Sequence, residues 1–228
     1  MKEKVVIVGA GQHCNVVLYN MREQAVYVPA CIVDVNKNIG GTEINGVYVE
    51  PGYEDFSKDY LDTLKTKYHT DKFFIGLGSM KLRKKLFEFF CNYGWNSVNI
   101  IHPDAVVSKD TKMGTGILIE CGCLITPQPT IGDNVVVNTG SQVNHDNIVE
   151  DHVYIASGVI LSGGVTIGEN TLLDDGVIVT LGKKVGRNSL IGAGAVVTKD
   201  IPDNSIAYGA PCKVVRPNDK YSEPWDMF

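Results

Sequence analysis

The chain has 228 residues, with 21 Lys and Arg against 26 Asp and Glu for a formal net charge of −5, and with 44% hydrophobic and 21% charged residues. That balance excludes a broad basic face for nucleic acid and excludes intrinsic disorder, while the length allows one large domain or two small ones. Met1-Lys2-Glu3-Lys4 runs straight into a strand-like block, and no apolar run is long enough for a signal segment or a bilayer span, so a cytoplasmic protein with no membrane partner is expected.

In chain order, Val5-Val6-Ile7-Val8 reads as a first strand, followed by the turn Gly9-Ala10-Gly11-Gln12-His13-Cys14 and a helix over 15–22. Further strands are predicted over 30–34, 73–78 and 97–101, with a helix over 80–93. The alternation predicts a small Rossmann-like α/β domain with a parallel sheet. A glycine turn between strand and helix is where a phosphate meets free amides, and Asp34, ending the second strand, is placed to accept hydrogen bonds from a ribose or a base. A dinucleotide fingerprint asks for a third Gly or Ala where Cys14 stands, which speaks against a nicotinamide dehydrogenase; a ligand-free tight turn is the alternative. His102-Pro103 marks the expected hinge, because a residue before proline is held extended. The expected boundaries are an α/β domain over 1–105, a second domain over 106–217 and a tail over 218–228.

Of the 24 glycines, 14 fall between positions 107 and 202. Over the same stretch, steps of six from Val107 through Met113, Ile119 and onward to Val197 meet sixteen aliphatic residues without a miss. Chance produces such a series with a probability on the order of 1 in 10^8. Six is not a helical period. One obligatory inward aliphatic per six residues predicts a short strand per hexapeptide, three hexapeptides per coil, and stacked coils in a triangular solenoid of a little over five turns. Glycines at the corners supply positive φ and close backbone approach.

Chemistry concentrates around Val143-Asn144-His145-Asp146-Asn147-Ile148. His145 falls at a corner, and Asp146 beside it is placed to orient one ring nitrogen, the arrangement that a general base requires. One coil onward, three hexapeptides along the chain, stands Gly163, followed by Gly164. Its N–H, unshielded by a side chain, is positioned to donate to the oxyanion of an acyl-transfer step; a simple tight corner is the alternative. The six cysteines form no CxxC pair, so reduced thiols are expected, with Cys121 and Cys123 as packing residues on a strand. A zinc site needs three convergent histidines, and His145, His152 and His102 do not supply them; His152 reads as a solvated corner and no metal is expected.

Taken together, Gly-x-Gly-x-His after the first strand, Asp34, the Ile75-Gly76-Leu77-Gly78 strand end, the hexapeptide run with His-Asp, and the closing Tyr208-Gly209-Ala210-Pro211-Cys212-Lys213 resemble the bacterial sugar O- and N-acetyltransferases of the NeuD and PglD type, over nearly the whole chain. The resemblance implies a left-handed parallel β-helix and acetyl transfer from acetyl-CoA to a sugar, chiefly to the amine of a nucleotide-activated amino sugar, with sialic acid O-acetylation as the alternative. It implies a homotrimer with active sites between subunits. It places His145 as base, with Asp146 as the acid that strengthens it; acetyl-CoA against Tyr154, Gly163, Asp175 and Ala193, the last two mainly through backbone; and the nucleotide sugar against Gly11, Gln12, His13, Asp34, Val35 and Gly78. Three positions depart from the family pattern: Tyr154 replaces a second histidine, Val35 replaces the second acid of an Asp-Asp pair, and Gln12 and Cys14 replace glycines of the turn. Lys199, Lys213 and Arg216 are candidate partners for the CoA phosphates. A non-catalytic solenoid scaffold is the remaining alternative.

Overall fold

The computed structural model describes residues 2–51 and 56–219; the expected tail lies outside the described residues from 220 onward. The chain divides into two compact units between Ile100 and Ile101, ahead of the boundary expected at 105. His102, expected in a hinge, is already part of the second unit: its N–H donates to Ile119 O at 2.9 Å and its side chain is buried.

The first unit is built on β1 (Glu3–Val8), α1 (Gln12–Gln24), β2 (Tyr27–Val33), a short hairpin of β3 (Glu43–Ile44) and β4 (Val47–Tyr48), α2 (Lys58–Tyr68), β5 (Lys72–Ile75), α3 (Met80–Asn92) and β6 (Asn96–Ser97). The main sheet runs β2-β1-β5-β6, all parallel. Val5 to Val8 are fully buried, as a strand covered on both faces requires. Phe73, Phe87, Phe90 and Trp95 stack into the core. Sequence periodicity left out α2 and the hairpin. Ser57 caps α2, its hydroxyl accepting from Tyr60 N–H at 3.2 Å, a start signal of the usual kind. The single strand expected over 97–101 is in fact two: β6 ends the α/β sheet, and Ile100–Ile101 starts the solenoid.

The second unit is a parallel β-solenoid of three faces. The first face stacks Ile100–Ile101, Leu118–Ile119, Val136–Val137, Tyr154–Ile155, Leu172–Leu173 and Leu190–Ile191, and ends on Ser205–Tyr208 with antiparallel Lys213–Pro217. The second runs from Val106–Val107 to Val196–Val197 in six strands, and the third from Lys112–Met113 to Lys184–Val185 in five. Within the repeat, partners stand three hexapeptides apart, for example Leu118 with Val136 and Tyr154 with Leu172. The strand at Ile100–Ile101 brings the solenoid to about six turns, more than the count begun at Val107.

Fourteen of the sixteen aliphatics in the six-residue series are buried; Val107 is half-buried and Met113 is 38% exposed, because both belong to the first coil, which no earlier coil covers. Each buried one contributes roughly 1.5–3 kcal/mol against solvent. A second interior column, two residues ahead of the first, holds Val135, Ser141, Asn147, Val153, Val159 and Val165, all buried. At the corners, residues one step past the turn take positive φ, whether Gly (Gly140, Gly158, Gly164, Gly182) or Asn, Asp and His (Asn134, Asp146, His152, Asn170).

Candidate active site

His145 sits at the corner between second and third faces, in a column with Pro127, Gly163, Leu181 and Lys199. Its Nδ1 lies 2.9 Å from Asp146 Oδ2. A carboxylate oxygen accepts, so Nδ1 carries the proton and Nε2 presents its lone pair outward. Asp146 reaches this position because its backbone is left-handed, φ 59°, a conformation an Asp tolerates at such a corner. Both side chains are solvent-accessible, 60% and 61% exposed.

The imidazole lies on Gly163. A Cβ built there would fall well inside contact distance of His145 Cε1 and Nε2, and 3.1 Å from Cδ2. Gly163 is therefore the residue that admits the ring. The coils carrying the two are tied by Gly164 N–H to His145 O at 2.9 Å and by two asparagines: Asn144 Nδ2 donates to Leu161 O at 2.7 Å, and buried Asn147 accepts from Val165 N–H at 2.7 Å. The polar run around His145 thus has a structural component that sequence reasoning missed; its signal was Asn147 in a column of small and β-branched residues.

Corner amides are treated differently from one corner to the next. Between third and first faces, protein carboxylates cap four of the five, among them Thr115 N–H on Asp133 Oδ1 at 2.7 Å, Asp133 N–H on Asp151 Oδ1 at 2.7 Å, and Arg187 N–H on Asp203 Oδ1 at 3.0 Å. In the His145 column the N–H groups of His145, Gly163 and Leu181 have no protein partner among the described residues. An open amide beside a base is the pairing expected of an oxyanion donor.

The other predicted cofactor residues lie elsewhere on the prism. Asp175 and Ala193 share the corner between first and second faces, about six residues of chain, roughly 20 Å extended, from the His145 corner. Asp175 does not offer its backbone: its N–H is bound by Asp174 Oδ1 at 2.9 Å, its C=O accepts from Gly194 N–H at 2.8 Å, and its Oδ1 accepts from Ser157 N–H at 3.0 Å. Ala193 is exposed. Tyr154 is half-buried on the first face, its hydroxyl 3.5 Å from Asn138 Nδ2. Lys199, Lys213 and Arg216 are exposed near the C-terminal end of the solenoid. Cys121 and Cys123 lie at a turn rather than on a strand; Cys123 is buried and burial pushes its thiol up to about 11. His152 is half-buried, its Nδ1 3.0 Å from Asn134 Nδ2, in a column continued by Asn170, Asn188 and Asn204. Among the described residues no group of three His, Cys, Asp or Glu is placed to hold a metal ion, and no helix is long and apolar enough to cross a membrane.

In the α/β unit the predicted substrate residues gather around the β1–α1 turn. Asp34 Oδ2 accepts from Ala10 N–H at 2.7 Å and its Oδ1 from Asn36 N–H at 2.8 Å, so this carboxylate pins the turn to the end of β2. Gly11 is the N-cap of α1 and makes no side-chain cap, leaving the first-turn amides directed outward. Gln12, Val35 and Gly78 are exposed around it. His13 is held far below its ordinary value, at about 3, by burial and by the Arg83 guanidinium, and is neutral at physiological pH. Burial, reinforced by Asp34, pushes the Cys14 thiol up to about 12.

Residues 4–90 match the PglD N-terminal domain family. A perosamine N-acetyltransferase from Caulobacter crescentus, solved as a histidine-to-asparagine mutant with CoA and GDP-perosamine, superimposes with a TM-score of 0.85 at 33% identity over 92% of this chain and 96% of that one. The acetyltransferase domain of PglB from Neisseria gonorrhoeae, in complex with acetyl coenzyme A, gives 0.83 at 28% identity over 94% and 100%. WeeI from Acinetobacter baumannii, at 22% identity over 93% and 100%, shares the fold with a TM-score of 0.75. No curated protein sequence matches significantly. With an α/β domain, a left-handed β-helix and this degree of likeness, the chain belongs to the bacterial sugar acetyltransferases of the hexapeptide-repeat superfamily.

Proposed function

We propose that the chain transfers the acetyl group of acetyl-CoA to the amine of a nucleotide-linked amino sugar, directly and within one ternary complex. The observation that carries this is the His145 imidazole, held by Asp146 on one nitrogen and lying on Gly163, with an open amide beneath it. Acetyl-CoA supplies an activated thioester carbonyl. Nε2 of His145 removes the proton of the attacking amine, the Gly163 N–H donates to the carbonyl oxygen as it gains charge, and the resulting imidazolium, still hydrogen-bonded to Asp146, returns its proton to the departing thiolate. The 33% identical perosamine N-acetyltransferase, bound to CoA and GDP-perosamine, supports an amine acceptor on a nucleotide-linked sugar.

Gly11, Gln12, His13, Asp34, Val35 and Gly78 form the nucleotide-sugar pocket. Its diphosphate is met by the first-turn amides of α1 and by His13 as a neutral donor. Acetyl-CoA lies against Gly163, Tyr154, Ala193 and the exposed edge of Asp175, with Lys199, Lys213 and Arg216 near its phosphates. One ligand meets both corner columns when two solenoids stand side by side. The outward positions of the second face support such an assembly: Val106 is 63% exposed and Leu124 37%, with Ile160, Ile178 and Val196 apolar beyond Gln142 in the same column. The enzyme is accordingly a cytoplasmic homotrimer with active sites between subunits.

Thiol release from acetyl-CoA, measured across GDP- and UDP-linked amino sugars and free or CMP-linked sialic acid, tests the reading. Turnover is expected with amino sugars, and His145→Ala is expected to lower it by ~10^2- to 10^4-fold in a folded protein. Wild-type turnover in His145→Ala removes the base assignment; release with hydroxyl acceptors alone makes the enzyme an O-acetyltransferase, and release with none leaves a scaffold.

A further inference from the structure

Arg83, on α3, is the most buried cation described in the α/β unit, 3% exposed. Burying a guanidinium is costly unless its donors are used, and here Nη1 serves the backbone, donating to Ile75 O at 3.0 Å and to Leu77 O at 3.2 Å. These carbonyls bracket Gly76, where β5 gives way to the loop leading into α3. The loop in turn presses on the β1–α1 turn. Gly76 N–H donates to Val8 O at 2.8 Å, and a Cβ built on Gly9, whose φ is +112°, would meet Leu77 Cγ at 2.6 Å and Gly76 O at 3.0 Å. Nothing larger than glycine fits between the two loops. The placement of Leu77 therefore sets the path of Gly9, and with it Ala10, whose N–H is held by Asp34, and Gly11, which caps α1.

We propose that Arg83 is a positioning residue of the nucleotide-sugar pocket, acting through the Ile75 and Leu77 carbonyls to hold the Leu77–Gly78 edge against the Gly9–Gly11 turn. The proposal rests on the reading of Gly11, His13 and Asp34 as that pocket. Arg83 touches no ligand itself. Nη1 bonds both carbonyls from the end of a rigid planar guanidinium, whose reach and direction a lysine ammonium reproduces only in part. Its charge also contributes to keeping His13 neutral.

The test is calorimetric titration of the full chain with GDP and UDP as nucleotide probes and with CoA as the control ligand, for wild type, His13→Ala, Arg83→Met and Arg83→Lys. Arg83→Met releases the Ile75 and Leu77 carbonyls that fix this edge and is expected to weaken the bound nucleotide at least about tenfold, the scale of one net hydrogen bond. CoA affinity stays at the wild-type value, and Arg83→Lys recovers part of the loss. Leu77→Ala, which relaxes the same contact without removing a charge, is expected to weaken nucleotide binding and leave CoA binding intact; it carries the test with Arg83→Lys where Arg83→Met does not fold. Wild-type nucleotide affinity in these Arg83 and Leu77 variants overturns the proposal, as does a parallel loss of nucleotide and CoA affinity. If wild type binds neither nucleotide, or His13→Ala binds as wild type does, the pocket reading itself fails.

Discussion

Replacing Gly163 by Ala separates the stability of the solenoid from the placement of the proposed base, His145. Gly163 is outside the left-handed region, so an added methyl imposes no backbone strain. Its Cβ would instead fall on His145 Cε1 and Nε2, about 1 Å inside the ~3.5 Å at which carbon atoms make contact. Something must yield, and the ring is the cheap choice, because it is 60% exposed and ends a side chain free to rotate outward. The fold is therefore expected to survive with an unchanged melting temperature. A reacting group displaced by about 1 Å costs on the order of 100-fold in kcat. The backbone N–H at this position is retained in the variant, so the loss reports on the base and not on the oxyanion donor. Steady-state thiol release gives kcat, and the double variant Gly163→Ala/His145→Ala is expected to be no slower than His145→Ala alone, since both changes remove one function. Wild-type kcat in a folded Gly163→Ala protein, or losses that multiply in the double variant, refute the reasoning.

Glu120 is 4% exposed, accepts from Thr139 Oγ1 at 2.9 Å, and is raised above its ordinary value of 4.5 chiefly by burial. Its folded pKa exceeds its unfolded one, so its contribution is most favourable below 4.5 and is lost as pH rises through the folded value. Glu120→Gln, which keeps an acceptor for Thr139, should melt higher than wild type at neutral pH, with the gap closing toward acid; a lower melting temperature at neutral pH would count against this. Asn147→Ala orphans the Val165 N–H and is expected to cost about 1–3 kcal/mol in denaturant unfolding. Lysine at Ile160 and Ile178 should yield monomers in sedimentation and abolish thiol release, whereas active trimers would move the subunit contact to another face.

The solenoid was readable because one side chain in six must point inward, and the rule is strict enough to survive without tertiary information. It faltered where the environment is unusual: Met113 keeps the period yet is 38% exposed on the uncovered first coil. The pairing of His145 with Gly163 was equally accessible, since a coil of three hexapeptides fixes which residues are neighbours. Asp175 was named by the family resemblance alone, and neither resemblance nor spacing shows that Asp174 takes its N–H and the Gly194 N–H its C=O. Arg83 was invisible for a different reason. In Lys81-Leu82-Arg83-Lys84-Lys85 it reads as one more solvated cation, and only the packing of α3 against the end of β5 turns it inward. Likewise α2 carries a weak apolar pattern, with Tyr60, Leu61 and Leu64 as its buried residues.

The uneven capping of the corner amides bears on how such an enzyme can change. Every coil repeats the same backbone, so each turn is in principle an equivalent socket for a developing negative charge, and among the described residues seven of them are plugged by an aspartate, a glutamate or an asparagine of the chain itself. Among the open sockets, the proposed site is singled out by a histidine one register below a glycine. Moving that pair by one whole coil would shift the proposed site by one strand spacing, about 4.8 Å, along the solenoid axis without redesigning the scaffold. A repeat protein of this kind offers its chemistry a set of evenly spaced addresses.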